Sequence, residues 1–316
     1  MIRAKWEPAT ISLRYRLGEI SLWAKRFSGF TNREHFTAVE PYSRFPDPRF
    51  EFERQPDFLF YPSYPVGFAP EAFSSSGSWI IYTPYTFRNY YIDLARIGDF
   101  EGYLAGFSSK SRWTLQRKMK RFAEVSGGQI AWREFTRPEE MAEFFSLARQ
   151  VSRETYQERL LRKGLPSSME FVARAVTLAT HQGVLAYILL LNSRPVAYLF
   201  CFCADGIVTY DYLGYDRAYQ SLSPGSVLQY LILQSLFEKH KDMRIFDFTE
   251  GEGPQKSFFG TDQRLCAKSY FLRRTLNNIA LVRLHYQLDR LTESAGHLLD
   301  RCGLKQPVKK FIRIVA

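Results

Sequence analysis

The sequence is poor in the residues that build metal and redox centres. None of its four cysteines stands in C-x-x-C spacing, and Cys201 and Cys203 in "CFC" share one strand face as small apolar groups. The five histidines are scattered without metal-ligand spacing: His35, His181, His240, His285 and His297. We therefore expect no metal site, and we expect a reducing compartment.

Signatures of covalent catalysis and of nucleotide chemistry are also missing. The chain contains no P-loop and no Ser-His-Asp order. Covalent nucleophilic catalysis and nucleoside-triphosphate chemistry are therefore disfavoured.

Long uncharged apolar runs are absent as well. Residues 1–20 are basic and lack the apolar core and the cleavage site of a signal peptide. No apolar run approaches the roughly 20 residues that cross a bilayer. We expect a cytoplasmic protein. For the basic, apolar tail at residues 304–316, packing on the core is favoured over a peripheral contact with the inner membrane, and both alternatives stay open.

Aromatic and basic residues are plentiful instead. The 316 residues include 16% aromatic and 46% hydrophobic residues, which is typical of a folded chain with one large or two medium domains. Lys and Arg outnumber Asp and Glu by 43 to 32, giving a net charge of +11. This charge favours anionic partners such as phosphates, nucleic acid or acidic lipid, without choosing among them.

The periodicity of apolar residues predicts helices before and after a group of strands. A helix is expected within residues 99–124, where Leu115, Met119 and Phe122 form an apolar stripe. Three serines are candidates for its N-cap: Ser108, Ser109 and Ser111. The glycines at 127–128 end it. Residues 1–40 are mixed and give no clear assignment.

The second half has a more regular pattern. Two amphipathic helices are followed by strand-like runs within residues 184–215, and their short turns predict antiparallel hairpins. A long apolar helix from Pro224 and a strand at residues 243–248 complete an α+β order. A last helix begins near Leu276, with these residues assigned to its apolar face: Ile279, Val282, Leu284, Leu288, Leu291 and Leu298.

Three stretches of this chain resemble acyltransferases of the GNAT superfamily. They are "LAGFSSKSRWTLQRKMKRF" at residues 104–122, "YDRAYQSLSPGSVLQYLI" at 215–232 and "FDFTEGEGPQKSFFG" at 246–260. Their order and spacing are similar to those of acyltransferases associated with exopolysaccharide and cellulose biosynthesis, and to those of Fem-type aminoacyltransferases. The resemblance covers residues 104–270, about half of the chain.

The resemblance implies a GNAT-like fold with a mixed, mostly antiparallel sheet flanked by helices, in two GNAT-like halves. We expect an N-terminal GNAT-like or accessory half at residues 1–125, ending in the basic helix. A transferase core at 126–275 and a C-terminal amphipathic helix with a basic tail at 276–316 follow. The implied donor is acyl-CoA, carrying acetyl or longer groups, and the implied acceptor is a sugar, an amino-sugar or a lipid-linked precursor.

The second stretch is expected to bind the donor. In the superfamily, a helix N-terminus binds the pyrophosphate of acyl-CoA through free backbone N–H groups. Here Ser223 is the expected N-cap, Gly225 permits close backbone approach, and Gln220 and Ser226 complete the implied set. The family loop has glycine where this chain has Ser223, so an ordinary capped helix, an aminoacyl-tRNA donor and an acyl-carrier-protein donor stay open.

The third stretch raises candidates for catalysis. Gly251 and Gly253 allow a sharp turn that delivers Lys256 to the end of the sheet, where it would bind phosphate or stabilise an oxyanion. Strand alternation puts Asp247 on the face opposite its flanking phenylalanines, as a structural carboxylate or as the general base. Glu250 is either a solvated acid of the turn or a contact of the acceptor amine.

The basic helix of the first stretch supplies an acceptor surface. Arg112 and Arg117 match basic positions of the family, and Trp113 between them offers a stacking surface. A phosphate-bearing acceptor or a tRNA backbone would suit this patch, although a row of cations is usually a solvated face. The alternatives to an acyl-CoA enzyme are a Fem-type transferase that uses charged tRNA, and a non-catalytic binding module on a degenerate transferase fold.

Overall fold

The computed structural model describes residues 6–18, 20–41, 52, 56–153 and 164–301. The tail at residues 304–316 lies outside them. The strands are β1 (Trp6–Leu17), β2 (Ile20–Asn32), β3 (Phe58–Pro65), β4 (Phe73–Ser76), β5 (Trp79–Asp93), β6 (Trp132–Phe135), β7 (Val184–Leu191), β8 (Arg194–Ala204), β9 (Ile207–Tyr215), β10 (Ile245–Asp247) and β11 (Asp262–Arg273).

The helices alternate with these strands in the second half of the chain. They are α1 (Leu94–Ile97), α2 (Phe100–Ala105), α3 (Ser109–Val125), α4 (Met141–Ser152), α5 (Met169–Ala179), α6 (Pro224–Lys239), α7 (Pro254–Phe259) and α8 (Leu276–Arg301). Short 3-10 helices cover Pro138–Glu140 and Arg217–Leu222. None of the helices in the described ranges has both the length and the apolar composition that crossing a bilayer requires.

The described chain forms two compact units. One contains the residues up to Arg88 and from Arg264 onward, and the other is the continuous stretch Asn89–Gln263. In the first unit the strand order is β1-β2-β3-β11-β5, with β4 paired to β5. These limits differ from the predicted boundaries near residues 125 and 275.

The first unit begins with a hairpin that the sequence did not reveal. Strands β1 and β2 pair antiparallel along their length, with a register shift at Tyr15. Its core is strongly aromatic, and Trp79, Tyr82 and Phe58 are almost completely buried. The predicted apolar face of α8 is partly wrong, because Val282 is buried whereas Leu284 and Leu291 are 46% and 57% exposed. A side chain two positions from Val282 points about 200° away around a helix.

The second unit contains a mixed, mostly antiparallel sheet in the order β5-β10-β9-β8-β7-β6. The pairing of β10 with β9 is parallel, whereas β6, β7, β8 and β9 pair antiparallel in sequence. The predicted turns are confirmed: Asn192 and Ser193 have φ values of 49° and 65°, and Asp205 has a φ of 52°. This primed-turn geometry joins tight hairpins. The α+β fold class is therefore confirmed.

Helices cover both faces of this sheet. Residues such as Leu185, Tyr187 and Leu189 of β7 belong to one apolar cluster with α3 and α6, and Ala186 and Ile188 belong to another with α4 and α5. Strand β7 is almost continuously apolar because both of its faces are buried. One face of the sheet therefore packs against α6, a helix of 16 residues.

Residues 99–124 contain two helices, α2 and α3, and the predicted helix with its serine cap corresponds to α3. Asp99 caps α2 by accepting a hydrogen bond from the Gly102 N–H, and Ser108 caps α3 by accepting one from the Ser111 N–H. Of the three candidate serines, Ser108 is therefore the cap. Leu115 and Phe122 of the predicted stripe are buried.

Candidate active site

The candidate site lies where β10 ends beside β9. The two strands pair in parallel only from Ile245–Ile207 to Asp247–Thr209, and β9 then continues to Tyr215. On its other side β10 pairs with residues 91–93 of β5. In α/β sheets, ligands bind outside the carboxyl ends of such strands.

A closed turn follows β10. The Asp247 carboxylate accepts a hydrogen bond from the Thr249 N–H at 2.8 Å, and the Thr249 hydroxyl donates to the Tyr210 carbonyl at 3.3 Å. Thr249 and Gly251 have φ values of 60° and 106°, which bend the chain sharply. A glycine at the second position avoids the strain that a side chain brings to this conformation.

Lys256 lies in this turn, on the short helix α7. Its Nζ donates to the carbonyls of Thr249 at 3.1 Å and Glu250 at 2.8 Å. Burial lowers the pKa of Lys256, and the negative charges of Asp247 and Glu250 oppose that effect. The structure therefore brings together the three residues that the sequence proposed for catalysis. An ammonium group has three donors, so one remains for a ligand.

Asp247 lies on the face of the sheet opposite its flanking phenylalanines, as the strand alternation predicted. Phe246 and Phe248 are fully buried in the cluster with α3 and α6. Asp247 is 6% exposed and lies on the opposite face, in register with Thr209. Asp247 is therefore the last residue of β10 and lies beside the first residues of β9.

A second carboxylate, Asp211, was not identified from the sequence. It lies beside the β-bulge between β8 and β9 and accepts hydrogen bonds from the Thr209 hydroxyl at 2.6 Å and the Phe202 N–H at 3.1 Å. Although the residue itself is exposed, protein atoms packed around its carboxylate raise its pKa, and the charge of Asp247 adds to this effect. In the sequence, the position of Asp211 between two tyrosines in "TYDYLGY" could have pointed to this residue.

The N-terminus of α6 is the second part of the site. The preceding 3-10 helix is capped by the buried Asp216, whose side chain accepts from the Ala218 N–H at 2.9 Å and pairs with Arg194. Ser223 then adopts a left-handed conformation, with φ 54° and ψ 47°, and Pro224 is the first residue of α6. The position of Pro224 agrees with the sequence analysis.

Ser223 does not cap α6 in the way the sequence predicted. Its side chain makes no capping hydrogen bond, and its carbonyl accepts from the N–H groups of Ser226 and Val227. Glycine adopts a left-handed backbone conformation with less strain than any other residue. This agrees with the glycine that the family described in the sequence analysis has at this position. The serine retains the turn at some cost in strain.

Gly225 and Gln220 occupy different environments. Gly225 is buried against β9, where an added Cβ would lie 3.6 Å from the Tyr215 ring. Gln220 is exposed in the 3-10 helix. Of the predicted donor-binding set, Ser226 is the one whose side chain contacts another element of the site.

That contact is with Lys118 of α3. The Lys118 Nζ donates to the Ser226 hydroxyl at 3.1 Å. Burial lowers the pKa of Lys118, and the nearby charge of Arg117 adds to the effect. A lysine beside the first turn of a long helix adds a full positive charge to the partial positive charge of the helix N-terminus. Gln255 of α7 also approaches this turn, with its Nε2 3.5 Å from the Gly225 carbonyl.

The predicted acceptor residues lie on other parts of α3. Arg112 donates to the carbonyls of Ala105 at 3.1 Å and Phe107 at 2.7 Å, so it braces the junction of α2 and α3. Arg117 stacks over Trp113 with 4.6 Å between its Cζ and the ring centroid. The Trp113 side chain is 58% exposed and remains accessible to a ligand.

A cavity of about 620 Å³ lies at the other end of α6, lined by residues that include Lys239 and His240. None of the predicted site residues lines it. Glu134 pairs with His240 at 2.7 Å and lies 3.9 Å from Lys239, so these charges satisfy one another. Elsewhere too, the described residues contain no cluster of three or more His, Cys, Asp or Glu side chains that could hold a metal ion.

Comparison with known families agrees with this geometry. Residues 109–257 match the family model of the acetyltransferase (GNAT) domain, a range from α3 to α7 that includes Lys118, Asp211 and Lys256. This range is similar to a GNAT-type acetyltransferase domain, which supports an acyltransferase-type enzyme and agrees with the GNAT-like fold. No curated protein matches the chain in sequence.

Solved structures with a similar fold include three transferase-related proteins. The C-terminal DUF2156 domain of a proposed lysylphosphatidylglycerol synthetase from Agrobacterium fabrum is 12% identical, with a TM-score of 0.49 over 73% of this chain and 72% of that one. L-PGS from Bacillus licheniformis is 16% identical, with a TM-score of 0.44 over 73% and 72%. FemX is 10% identical, with a TM-score of 0.48 over 88% and 90%.

Proposed function

We propose that the protein transfers an acyl group from acyl-CoA to an amine or hydroxyl of a sugar, an amino-sugar or a lipid-linked precursor in envelope or exopolysaccharide synthesis. It would work in the cytoplasm, within the branch of acyltransferases that the three stretches resemble. The observation that supports this best is the contact of Lys118 with Ser226 at the N-terminus of α6. A cation beside the positive end of a helix dipole suits a donor that carries phosphates.

The donor and the acceptor would meet from opposite faces of the sheet. Helix α6 and Lys118 lie on the face of Phe246 and Phe248, whereas Asp247 and Asp211 lie on the other face. A thioester that enters where β10 ends and β9 continues would reach the carboxylates. The acceptor would then approach from their side.

The chemical step is a direct acyl transfer. The acceptor amine attacks the thioester carbonyl carbon, the C–S bond breaks, and the thiolate leaves and takes up a proton. The proton lost by the acceptor nitrogen moves to a carboxylate, for which we assign Asp211 or Asp247. Burial raises the pKa of the Asp211 carboxylate, so this carboxylate is a stronger base than an ordinary aspartate.

Lys256 would stabilise charge during this step. Its two hydrogen bonds to the turn carbonyls fix the Nζ, and its remaining donor is available to an oxyanion or a phosphate. Glu250 keeps its proposed role as a contact of the acceptor. Trp113 and Arg117 form an exposed stacking pair that would bind the acceptor, and Arg112 would act by bracing α3 beneath them.

One observation favours aminoacyl-tRNA as the alternative donor. Ser223 stands at the left-handed position where the superfamily has glycine, and the exposed Trp113–Arg117 pair offers a base-stacking surface. An acyl-carrier-protein donor would use the same lysine, because its prosthetic group carries one phosphate. A non-catalytic module would need neither Lys256 nor a base.

The first test is the affinity for CoA and acyl-CoA of variants that differ in one lysine. We expect Lys118→Ala to weaken CoA binding by about tenfold to a hundredfold, because a charged hydrogen bond is lost. Lys120→Ala is the matched control, since Lys120 lies on the same helix with its side chain 80% exposed. Isothermal titration measures both dissociation constants.

Each outcome of this test has a distinct meaning. If wild type binds no thioester but binds aminoacyl-tRNA or acyl-carrier protein, the donor changes and the transferase proposal remains. If Lys118→Ala and Lys120→Ala weaken CoA binding equally, the α6 N-terminus is not the donor site. If no donor of any class binds, the proposal of a transferase fails.

A further inference from the structure

The end of the β1–β2 hairpin exposes an unusual group of apolar side chains. We call residues 17, 18 and 20–23 the hairpin tip. Its four large apolar side chains are all at least two-fifths exposed: Leu17 45%, Ile20 46%, Leu22 52% and Trp23 41%. Single exposed apolar residues are ordinary on protein surfaces, but a contiguous group marks a binding surface.

The hairpin tip is held in place by the body of the first unit. The Trp23 ring stacks on the buried Tyr15 ring, with centroids 3.9 Å apart and planes at 4°. The Tyr15 hydroxyl donates to the Leu281 carbonyl at 3.2 Å, and the Gly18 N–H donates to the Thr292 hydroxyl at 3.0 Å. The exposed Leu291 of α8 is adjacent to Thr292 and extends the apolar surface.

Cations surround this apolar group. The described residues of the hairpin next to the tip include four exposed basic side chains: Arg14, Arg16, Lys25 and Arg26. Arg290 of α8 is also exposed. On the same helix, Asp289 pairs with His285 and Glu293 is exposed, and the sequence has Glu19 in the turn, outside the described residues. The surface around the tip is therefore predominantly positive.

We propose that the hairpin tip docks on an anionic membrane surface. Leucine and isoleucine side chains would enter the boundary between headgroups and acyl chains, and Trp23 would lie at the interface, where tryptophan is favoured. The four cations would contact anionic headgroups. A protein partner would be a different occupant, but the ring of arginines and lysine around a small apolar tip matches an acidic lipid surface best.

The inference does not depend on acyl transfer. It concerns only the first unit, and the donor and catalytic residues proposed above all lie in residues 89–263. A lipid surface would also be the location of any lipid-linked acceptor.

The test is binding to vesicles of phosphatidylcholine with and without phosphatidylglycerol. We expect wild type to bind the anionic vesicles and to dissociate as salt rises. Each Lys or Arg near such a surface contributes about fivefold, so Arg14→Gln, Arg16→Gln, Lys25→Gln and Arg26→Gln together lower affinity at least tenfold. Leu17→Ser, Ile20→Ser and Leu22→Ser together have a similar effect. Leu276→Ser is the control, because Leu276 is 87% exposed and distant along α8.

Tryptophan fluorescence provides a second readout that a folding defect does not imitate. On binding, Trp23 enters a less polar environment, so wild type shows a blue shift that Trp23→Phe reduces. Trp113→Phe is the control, because Trp113 is also exposed, at 58%, but lies in the other unit. Binding that requires the tip, with a shift assigned to Trp23, supports the proposal.

Three results would overturn it. One is the absence of binding to anionic vesicles. Another is binding that the tip variants leave unchanged, or a shift that follows Trp113. The third is a wild-type dimer in analytical ultracentrifugation that the leucine and isoleucine substitutions dissociate while vesicles remain unbound, since a second copy of the chain is then the occupant.

Discussion

Asp211 combines a raised pKa with a place at the β-bulge between β8 and β9, near Asp247, and the two features make it the preferred proton acceptor. In the folded protein its carboxylate is harder to ionise than in the unfolded chain. Stability therefore falls as pH rises through the interval between the ordinary aspartate pKa and the folded one, because the folded state binds the proton more tightly there. An acid kept in this state has a functional reason more often than a structural one.

We expect Asp211→Asn to lower kcat by about 100-fold, because the acceptor proton loses its base. The same change should raise the free energy of unfolding at neutral pH and leave it nearly unchanged at pH values below the ordinary aspartate pKa, where the folded and unfolded states are both protonated. Wild-type activity should rise with pH through that pKa, and the variant should lose this rise. A pH profile of kcat and urea denaturation measure the two effects.

Asp247→Asn is the matched control for this substitution. Its amide oxygen still accepts the hydrogen bond from the Thr249 N–H, so the turn should be retained. If Asp247→Asn abolishes activity and Asp211→Asn does not, the base is Asp247. This was one of the two roles that the sequence analysis left open for that residue.

Residues close in sequence were easier to identify than residues brought together by folding. Asp247, Glu250 and Lys256 lie within one turn, and glycines and a lysine after a buried strand point to it directly. Lys118 contacts Ser226 across 108 positions, and no local pattern encodes such a distance. On α3, Lys118 is one of several basic residues, and only packing against α6 distinguishes it from the solvated ones.

The burial of α6 has a cost in folding free energy, and this cost arises at the side-chain amide of Gln229. It is completely buried one turn after Gly225, and neither atom of its side-chain amide has a hydrogen-bond partner among the described residues. We expect Gln229→Leu to raise the free energy of unfolding by about 1–3 kcal/mol, because a similar volume is kept and an unpaired amide is removed. Denaturant titration measures the change.

Gln234→Leu is the comparison on the same helix. Gln234 donates to Glu238 at 2.9 Å near the surface, so its replacement should change stability little. A destabilising Gln229→Leu would indicate that a water molecule or a ligand pairs with the amide. Loss of CoA binding in that variant would then place the ligand there.

Helices and hairpins with a regular apolar period were predicted well, and irregular ones were not. The runs in β7, β8 and β9 alternate or are buried throughout, and short turns separate them. The β1–β2 hairpin escaped prediction because its tip exposes Leu22 and Trp23, which removes the alternation that identifies a half-buried strand. The break between α2 and α3 depends on the Ser108 cap and on the hydrogen bonds from Arg112 to the carbonyls of Ala105 and Phe107. The period of the apolar residues does not reveal these contacts.

At the scale of the molecule, the apolar clusters divide as the units do. The two clusters around β7 contain only residues between Ile92 and Phe259, and the two aromatic clusters of the first unit contain only residues before Arg88 or after Arg264. The chain enters the second unit along β5 and leaves it along β11. The sequence could not indicate this insertion, since the residues of the first unit come from both ends of the chain.

This arrangement predicts that residues 89–263 fold without the rest of the chain. We expect this segment, expressed alone, to unfold cooperatively in urea and to bind CoA within about threefold of the full chain, because it keeps both clusters and has the size of an ordinary domain. Circular dichroism and isothermal titration test the two parts. If the segment is unfolded, the first unit supplies stability that the clusters do not reveal.

The matched control is the shorter segment 109–257, the range of the GNAT-domain match. It lacks Ile92, Leu94, Tyr103 and Phe259, all of which are buried in the cluster that holds α6. It also loses the hydrogen bond from the Tyr103 hydroxyl to the Phe259 carbonyl at 2.7 Å. We expect this segment to expose apolar surface and to lose CoA binding, because removing buried aromatic and aliphatic side chains costs several kcal/mol. Folding of both segments alike would show that β5 and α2 are dispensable for the transferase core.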